Sequence, residues 1–287
     1  MEVVTVKLPM KRSIMVPDLK EVRIFPIGDL QYSSSLPDSD IDRLEKHIKW
    51  ASSIGGSFIG MGDFTDVASP SNRKIISIAK AELYDSTRKM LDTAAEHEID
   101  ILSDLLKPTR GKWIGLLTGH HWWRFPDGST TESRLAENLR TRELGTSALI
   151  NIPMSANGAK ATATIWAHHG TGGGITEASG FNRLAHMTKA FYAHAYLMGH
   201  VHKTGVMPIP FIDYRDGRDR SIKRFMVLTG GCLKGYIVGR RDEFGHPHGS
   251  YVEEKMLPPT ALGFPVLTFK PRKRNGIANV DTNAWIA

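Results

Sequence analysis

Five short segments of this 287-residue chain carry the side chains that could do chemistry. They are Gly28-Asp29-Leu30-Gln31, Gly62-Asp63-Phe64-Thr65-Asp66, Gly119-His120-His121, His168-His169-Gly170 and Gly199-His200-Val201-His202, and each follows an apolar run. Ligands seated where strands end and loops begin give such a pattern. Asp29, Asp63, Gln31 and up to six His would hold two divalent metals. Carboxylate oxygen and imidazole nitrogen suit Zn, Mn or Fe better than Mg or Ca. No cysteine lies near these segments, which argues against a structural zinc site of the thiolate kind. Two metals about 3.5–4 Å apart hold a bridging water, lower its pKa and neutralise phosphoryl oxygens during in-line attack. One Asp can then bridge both metals while the other binds one terminally. A single Gly-Asp is usually a turn, and a single His-x-His is weak. Five such pieces in one order are hard to assign to chance.

The elements that must position them alternate. Val22–Ile27, Ser57–Met61, Trp113–Leu117, Ala161–Trp166 and Ala195–Met198 read as strands, each leading to one segment. Between them, Ser39–Ile54, Asn72–Leu106 (one or two helices), Thr130–Leu144 and Ile175–His194 have helical spacing, with Ser39 or Asp40 as a plausible N-cap. Past residue 224 the pattern changes to short strands, Phe225–Leu228, Tyr236–Val238 and Phe264–Phe269, divided by Gly and Pro turns. The expected fold is an α/β core with a second sheet packed on it. Gly172-Gly173-Gly174 lacks the strand and helix spacing of a nucleotide-binding loop and reads as a flexible loop beside the site.

Composition is that of a soluble globular chain, 41% apolar and 23% charged. One domain over residues 1–287 is expected. No apolar stretch approaches the ~18–20 residues of a membrane span. The N-terminus lacks a signal-peptide layout. Cys232 is the only cysteine, so no intrachain disulfide forms and a cytoplasmic setting is expected. The formal charge is +7, and Lys270-Pro271-Arg272-Lys273-Arg274 opens what reads as a basic tail over about 270–287. Such a cluster either touches nucleic acid phosphates or is simply solvated.

The chain resembles the calcineurin-like metallophosphoesterases. That family carries, in order, Asp-x-His, Gly-Asp-x-x-Asp/Asn, Gly-Asn-His, a His often followed by Gly, and Gly-His-x-His. The second and fifth motifs match fully here, as Gly62-Asp63-Phe64-Thr65-Asp66 and Gly199-His200-Val201-His202. The resemblance implies two packed mixed β-sheets flanked by helices. It also implies Asp29, Gln31, Asp63 and His202 around a first metal. Asp63, His120, one of His168 or His169, and His200 would surround a second, with Asp63 bridging. His169 is preferred because it directly precedes Gly170. His121 stands where the family's catalytic histidine stands, serving to protonate the leaving oxygen or steady the phosphoryl group. Two positions depart from the pattern. Gln31 replaces a usual His and either binds metal through its carbonyl oxygen or hydrogen-bonds a metal-bound water. His120 replaces a usual Asn and offers a stronger ligand.

The resemblance implies a metal-dependent phosphoesterase and leaves the ester open. The family's protein phosphatases have Arg where this chain has Thr118, which lowers the phosphoprotein reading. After His121, Trp122, Trp123 and Arg124 could stack a base and grip a phosphate, and Tyr32 occupies a similar loop position. Alternatively, at least one of the tryptophans packs in the core. A phosphodiester is therefore favoured, DNA or RNA among the candidates, as in the family's repair-nuclease branch. The Gly230–Tyr236 stretch and the Pro-rich end resemble phage phosphoesterases, which would set the chain in a host cytoplasm. The competing readings are a phosphomonoesterase acting on a small molecule or phosphoprotein, and a non-catalytic scaffold with a remnant site.

Overall fold

In the computed structural model the described residues are 11–13, 21–34, 38–80, 82–156, 159–172, 176, 178–215, 218–242, 244–274 and 277–287. The strands are β1 (Lys11–Ser13), β2 (Val22–Ile27), β3 (Ser57–Gly60), β4 (Trp113–Leu117), β5 (Glu143–Gly145), β6 (Ser147–Ala156), β7 (Ala159–His168), β8 (Ala195–Met198), β9 (Thr204–Arg215), β10 (Arg218–Thr229), β11 (Pro265–Arg274) and β12 (Ile277–Ile286). The helices are α1 (Ile41–Ser53), α2 (Pro70–Ala79), α3 (Asp85–Leu106), α4 (Thr131–Asn138), α5 (Ala178–Ala190) and α6 (Tyr251–Glu254). They build two mixed six-stranded sheets, ordered β1-β6-β7-β8-β10-β9 and β12-β11-β2-β3-β4-β5.

The parallel strands β2, β3, β4 and β8 are almost wholly buried and largely apolar on both faces, as burial on both sides demands. In β2, Ile24 faces the partner sheet and Phe25 faces the helices; in β3, Ile59 and Phe58 do the same. The inter-sheet core adds Ile150, Ile165, Leu197, Val227 and Leu267. Helices α1, α3 and α4 cover one outer face, and α5 covers the other with Leu184 against Trp166 and Met198. Helix α1 starts at the Asp40 cap and buries Leu44, Ile48 and Ala51, one stripe at helical spacing. Helix α3 buries Ala95, Ile99, Leu102 and Leu106, all from its middle onward. Helix α2 buries no side chain at all. It and the start of α3 touch the core mainly through half-buried side chains, Ile76 and Leu91.

Several expectations change. Thr130–Leu144 is not one helix, because α4 ends at Asn138 and Glu143–Gly145 pairs with β4. Tyr236–Val238 is turn rather than strand. Strands β6, β9 and β12 were not anticipated. Residues 270–287 are no tail: the basic cluster lies on β11, which pairs with β12 from Pro265↔Ile286 to Arg274↔Ile277. The physical reason is period-two burial in β12, where Val280, Thr282 and Ala284 face inward between exposed Asp281, Asn283 and Trp285. Two of the cluster's charges are paired, Lys270 with Glu21 and Arg272 with Asp281 at 3.0 Å. Of the glycine run, Gly172 has φ +70° and Gly173-Gly174 lie outside the described residues. No helix is long and apolar enough to cross a membrane, among the described residues.

Candidate metal centre

Strands β2, β3 and β4 run parallel, as do β7 and β8, so their C-terminal ends deliver Asp29, Asp63, His120, His169 and His200 to one place. The turns are tight. Five of the eight non-glycine residues with positive φ are Asp29 (49°), Gln31 (43°), Asp63 (50°), His200 (68°) and His202 (50°), among the described residues. Left-handed backbone at such residues costs energy and is kept where the surroundings fix it. Gly119 lets the next loop close on the site, since a Cβ there would collide with the Asp63 carboxylate.

Ligand atoms of Asp63, His120, His169 and His200 all lie within 4.8 Å of one another. Asp63 and His169 are buried, and His120 and His200 are half-buried, so the cluster opens to solvent past the latter pair. Asp63 Oδ1 accepts the backbone N–H groups of His120 and His121, the second at 2.9 Å. Its Oδ2 faces His169 Nε2 at 3.2 Å without hydrogen-bond alignment. His169 donates Nδ1–H to Met61 O at 2.7 Å, which leaves Nε2 as the free ring nitrogen. The nearest rings stack edge to face, His120 4.7 Å from His169 and 4.6 Å from His200. His120 Nδ1 and His200 Nδ1 are 3.1 Å apart.

The second half holds Asp29, Gln31 and His202. Asp29 Oδ2 accepts the His200 N–H at 2.8 Å, and Gln31 Nε2 is 3.2 Å from His202 Nε2. The Gly231–Cys232 turn packs on Asp29, with Cys232 N donating to Asp29 O at 3.1 Å. That packing is a physical reason for the glycines of the 230–236 stretch, because a Cβ on Gly231 would lie 2.7 Å from Asp29 O.

Four buried polar atoms here have no hydrogen-bond partner: Asp29 Oδ1, Asp63 Oδ2, His169 Nε2 and His202 Nδ1. Unpaired buried groups cost about 1–3 kcal/mol each, so their concentration in one hollow fits residues built to ligate cations. Charge is divided unequally among these groups. Burial pushes Asp29 up to about 7, although the His169 charge opposes it. Burial would also raise Asp63, but His169 outweighs it and holds Asp63 below the usual carboxylate range. Burial lowers His169, yet the facing Asp63 and the nearby Asp29 carry it up to about 9. Burial, aided by the His169 charge at His200, brings His200 and His202 down to about 4, leaving them neutral with lone pairs available.

The structure brings His169 into the cluster and leaves His168 outside it. His168 stays on the α5 side, stacked on Trp166 at 5.7 Å, its Nδ1 accepting Gly170 N–H at 2.7 Å. His121 sits at the rim, its Nδ1 2.6 Å from Asp66 Oδ1. Burial lowers its pKa, but the Asp66 bond and the Asp63 and Asp66 charges raise it overall. Of the candidate substrate residues, Trp122 and Arg124 line a groove beside the site, while Tyr32 packs on the helix-side core. Trp123 is core, 4% exposed and bonded through Nε1 to Asp92 at 2.8 Å.

Two residues escaped the sequence reading. Asp66 was visible as the last position of Gly62-Asp63-Phe64-Thr65-Asp66, but its bond to His121 was not. Arg73, on α2, spans to the loop that carries His120 and His121: its Nη1 donates to His120 O at 2.6 Å and Trp122 O at 3.0 Å. No local signal marks it.

No protein-family model matches the sequence, and no curated protein matches it. Among solved structures, the chain is similar to Vacuolar Protein Sorting 29 from Cryptosporidium parvum, at 10% identity and TM-score 0.36 over 93% of this chain and 99% of that one. It is also similar to a conserved uncharacterized protein, a predicted phosphoesterase, from Streptococcus pneumoniae, at 10% identity and TM-score 0.34 over 92% and 99%. By its own described residues the chain is an α/β fold of two mixed six-stranded sheets flanked by helices, with the Asp and His motifs at the strand ends.

Proposed function

We propose that this chain is a metal-dependent phosphodiesterase, with nucleic acid among its substrates. The observation that carries the reading is the set of orphaned ligand atoms converging below a His–Asp pair. Asp63, His120, His169 and His200 would hold one divalent cation. Asp29, Gln31 and His202 would hold another, with Asp63 shared. The imidazole-rich donor set favours Mn, Zn or Fe over Mg or Ca. Bound there, such cations supply Lewis-acid polarisation of a phosphoryl group and a lowered water pKa.

The chain's own groups complete the chemistry. Asp66 fixes the His121 ring and keeps it protonated above the ordinary histidine range, so His121 can give a proton to a departing oxygen. Arg73 fixes the loop that carries His120 and His121. Thr118 donates to Glu143 at 2.8 Å and is not available as an anion-binding group. That supports a diester over a phosphoprotein.

The test is hydrolysis of bis(p-nitrophenyl) phosphate and p-nitrophenyl phosphate by EDTA-stripped protein with Mn, Zn, Mg or nothing added back. The reading expects Mn or Zn to restore diester hydrolysis ahead of monoester hydrolysis. Monoester preference would replace it with a phosphomonoesterase, and no activity with any metal would leave a binding scaffold.

A further inference from the structure

Beside the metal centre lies a groove of 1030 Å³ between α2, the start of α3 and the loop after His121. Six cations line it: Arg73, Lys74, Lys80, Arg88, Lys89 and Arg124. Its two acids are already used, Asp92 by Lys80 at 2.9 Å and Asp85 by Arg88. Arg73, Lys74, Lys89 and Arg124 have no carboxylate within ion-pair distance among the described residues. Lys74, Lys89 and Arg124 are exposed. The walls between these charges are apolar, with Trp122, Phe125, Ile76 and Pro70. Arg73 lies 3.9 Å and Arg124 5.2 Å from the Trp122 ring centre, which holds both guanidinium groups at the wall.

The groove is joined to the site. The segment forming one wall, Trp122 to Pro126, directly follows His120 and His121, and Arg73 bonds to the His120 carbonyl. A substrate with a single phosphate has no use for four further cations outside the metal hollow. A duplex presents its phosphates outward and keeps its bases stacked inside, so it cannot fill a concave apolar floor. A single strand offers both, phosphates to the cationic rim and base faces to the apolar wall.

We infer that this groove binds a single-stranded polynucleotide leading out of the metal centre, held by Arg73, Lys74, Lys89 and Arg124. The inference rests on the phosphodiester reading above and names the substrate class of that site.

The test is fluorescence anisotropy of a labelled oligo(dT) of about 20 nucleotides, with the full chain in EDTA so that no cleavage intervenes. Four phosphate contacts predict a slope of log affinity against log salt of about −3. The double variant Lys74→Glu/Lys89→Glu should bind more than about tenfold more weakly, with the slope falling to about half. A control of equal charge change on the other sheet, Lys160→Glu/Lys223→Glu, should lose far less. Both pairs are solvent-exposed, and circular dichroism confirms that each variant folds. The inference is overturned if the groove variant binds like the unmodified chain, if the control loses as much, or if duplex of the same length binds more tightly. Hydrolysis of bis(p-nitrophenyl) phosphate by the unmodified chain reads the metal centre separately. Its failure beside groove-dependent binding would sink the phosphodiesterase reading and not the groove.

Discussion

The two halves of the candidate metal centre are built differently from parts on the same strand ends. The Asp63 half gathers one carboxylate and three imidazoles within 4.8 Å, with Asp63 charged and two neutral histidines beside it. The Asp29 half has a carboxyl pushed up to about 7 by burial, one of its oxygens given to the His200 N–H, and a neutral amide 3.2 Å from its histidine. An amide, Gln31, stands beside the histidine of one half, and a third imidazole, His120, stands in the other. The difference teaches that this site should bind its cations unequally, with Asp63 common to both.

Breaking the shared ligand gives the largest effect. Asp63→Asn should lower diester hydrolysis more than about 100-fold, beyond the 10–100-fold typical of a residue that only supports a ligand; steady-state rates with Mn check it. Next comes the rim. His121→Asn should cut kcat by about 10²–10⁴ while metal content stays unchanged. Asp66→Asn removes a cause of the raised His121 pKa. The activity that depends on protonated His121 is lost as pH rises through that pKa, so in Asp66→Asn the alkaline limb of the rate profile should move to lower pH.

The comparison is sharpened by strengthening the weaker half. Gln31→His should tighten the weaker cation by about tenfold and leave the tighter one nearly unchanged, as read by calorimetry. The smallest effect is in pH. Ligands must lose their protons to bind metal. Without metal, His169 keeps a proton up to about pH 9 and Asp29 keeps one up to about pH 7. Affinity at the Asp63 half should therefore keep rising to about pH 9, and affinity at the Asp29 half should level off near pH 7.

The candidate site was legible in the sequence because its Asp and His residues fall just after short strands with apolar runs. Of the strands in the first two-thirds, β1, β5 and β6 were not read, β6 because its alternation runs through Pro153 and Ser155. Strand β12 was hidden because its inward positions are small or polar, Val280, Thr282 and Ala284. Charge was the least legible property. The conspicuous run at 270–274 is partly neutralised on an edge hairpin, whereas Arg73, Lys89 and Arg124 come from separate elements and meet only where α2, the start of α3 and the loop after His121 come together. Two adjacent histidines in the sequence also part ways in space, His169 to the ligand cluster and His168 to Trp166, since only the fold decides which side of the chain faces the metals.

The most direct test is a calorimetric Mn titration of the EDTA-stripped chain beside its Asp63→Asn variant. The account predicts two sites of unequal affinity in the unmodified chain and loss of tight binding at both in the variant. Two equal sites, or an Asp63→Asn variant that binds with unchanged stoichiometry and affinity, would contradict it.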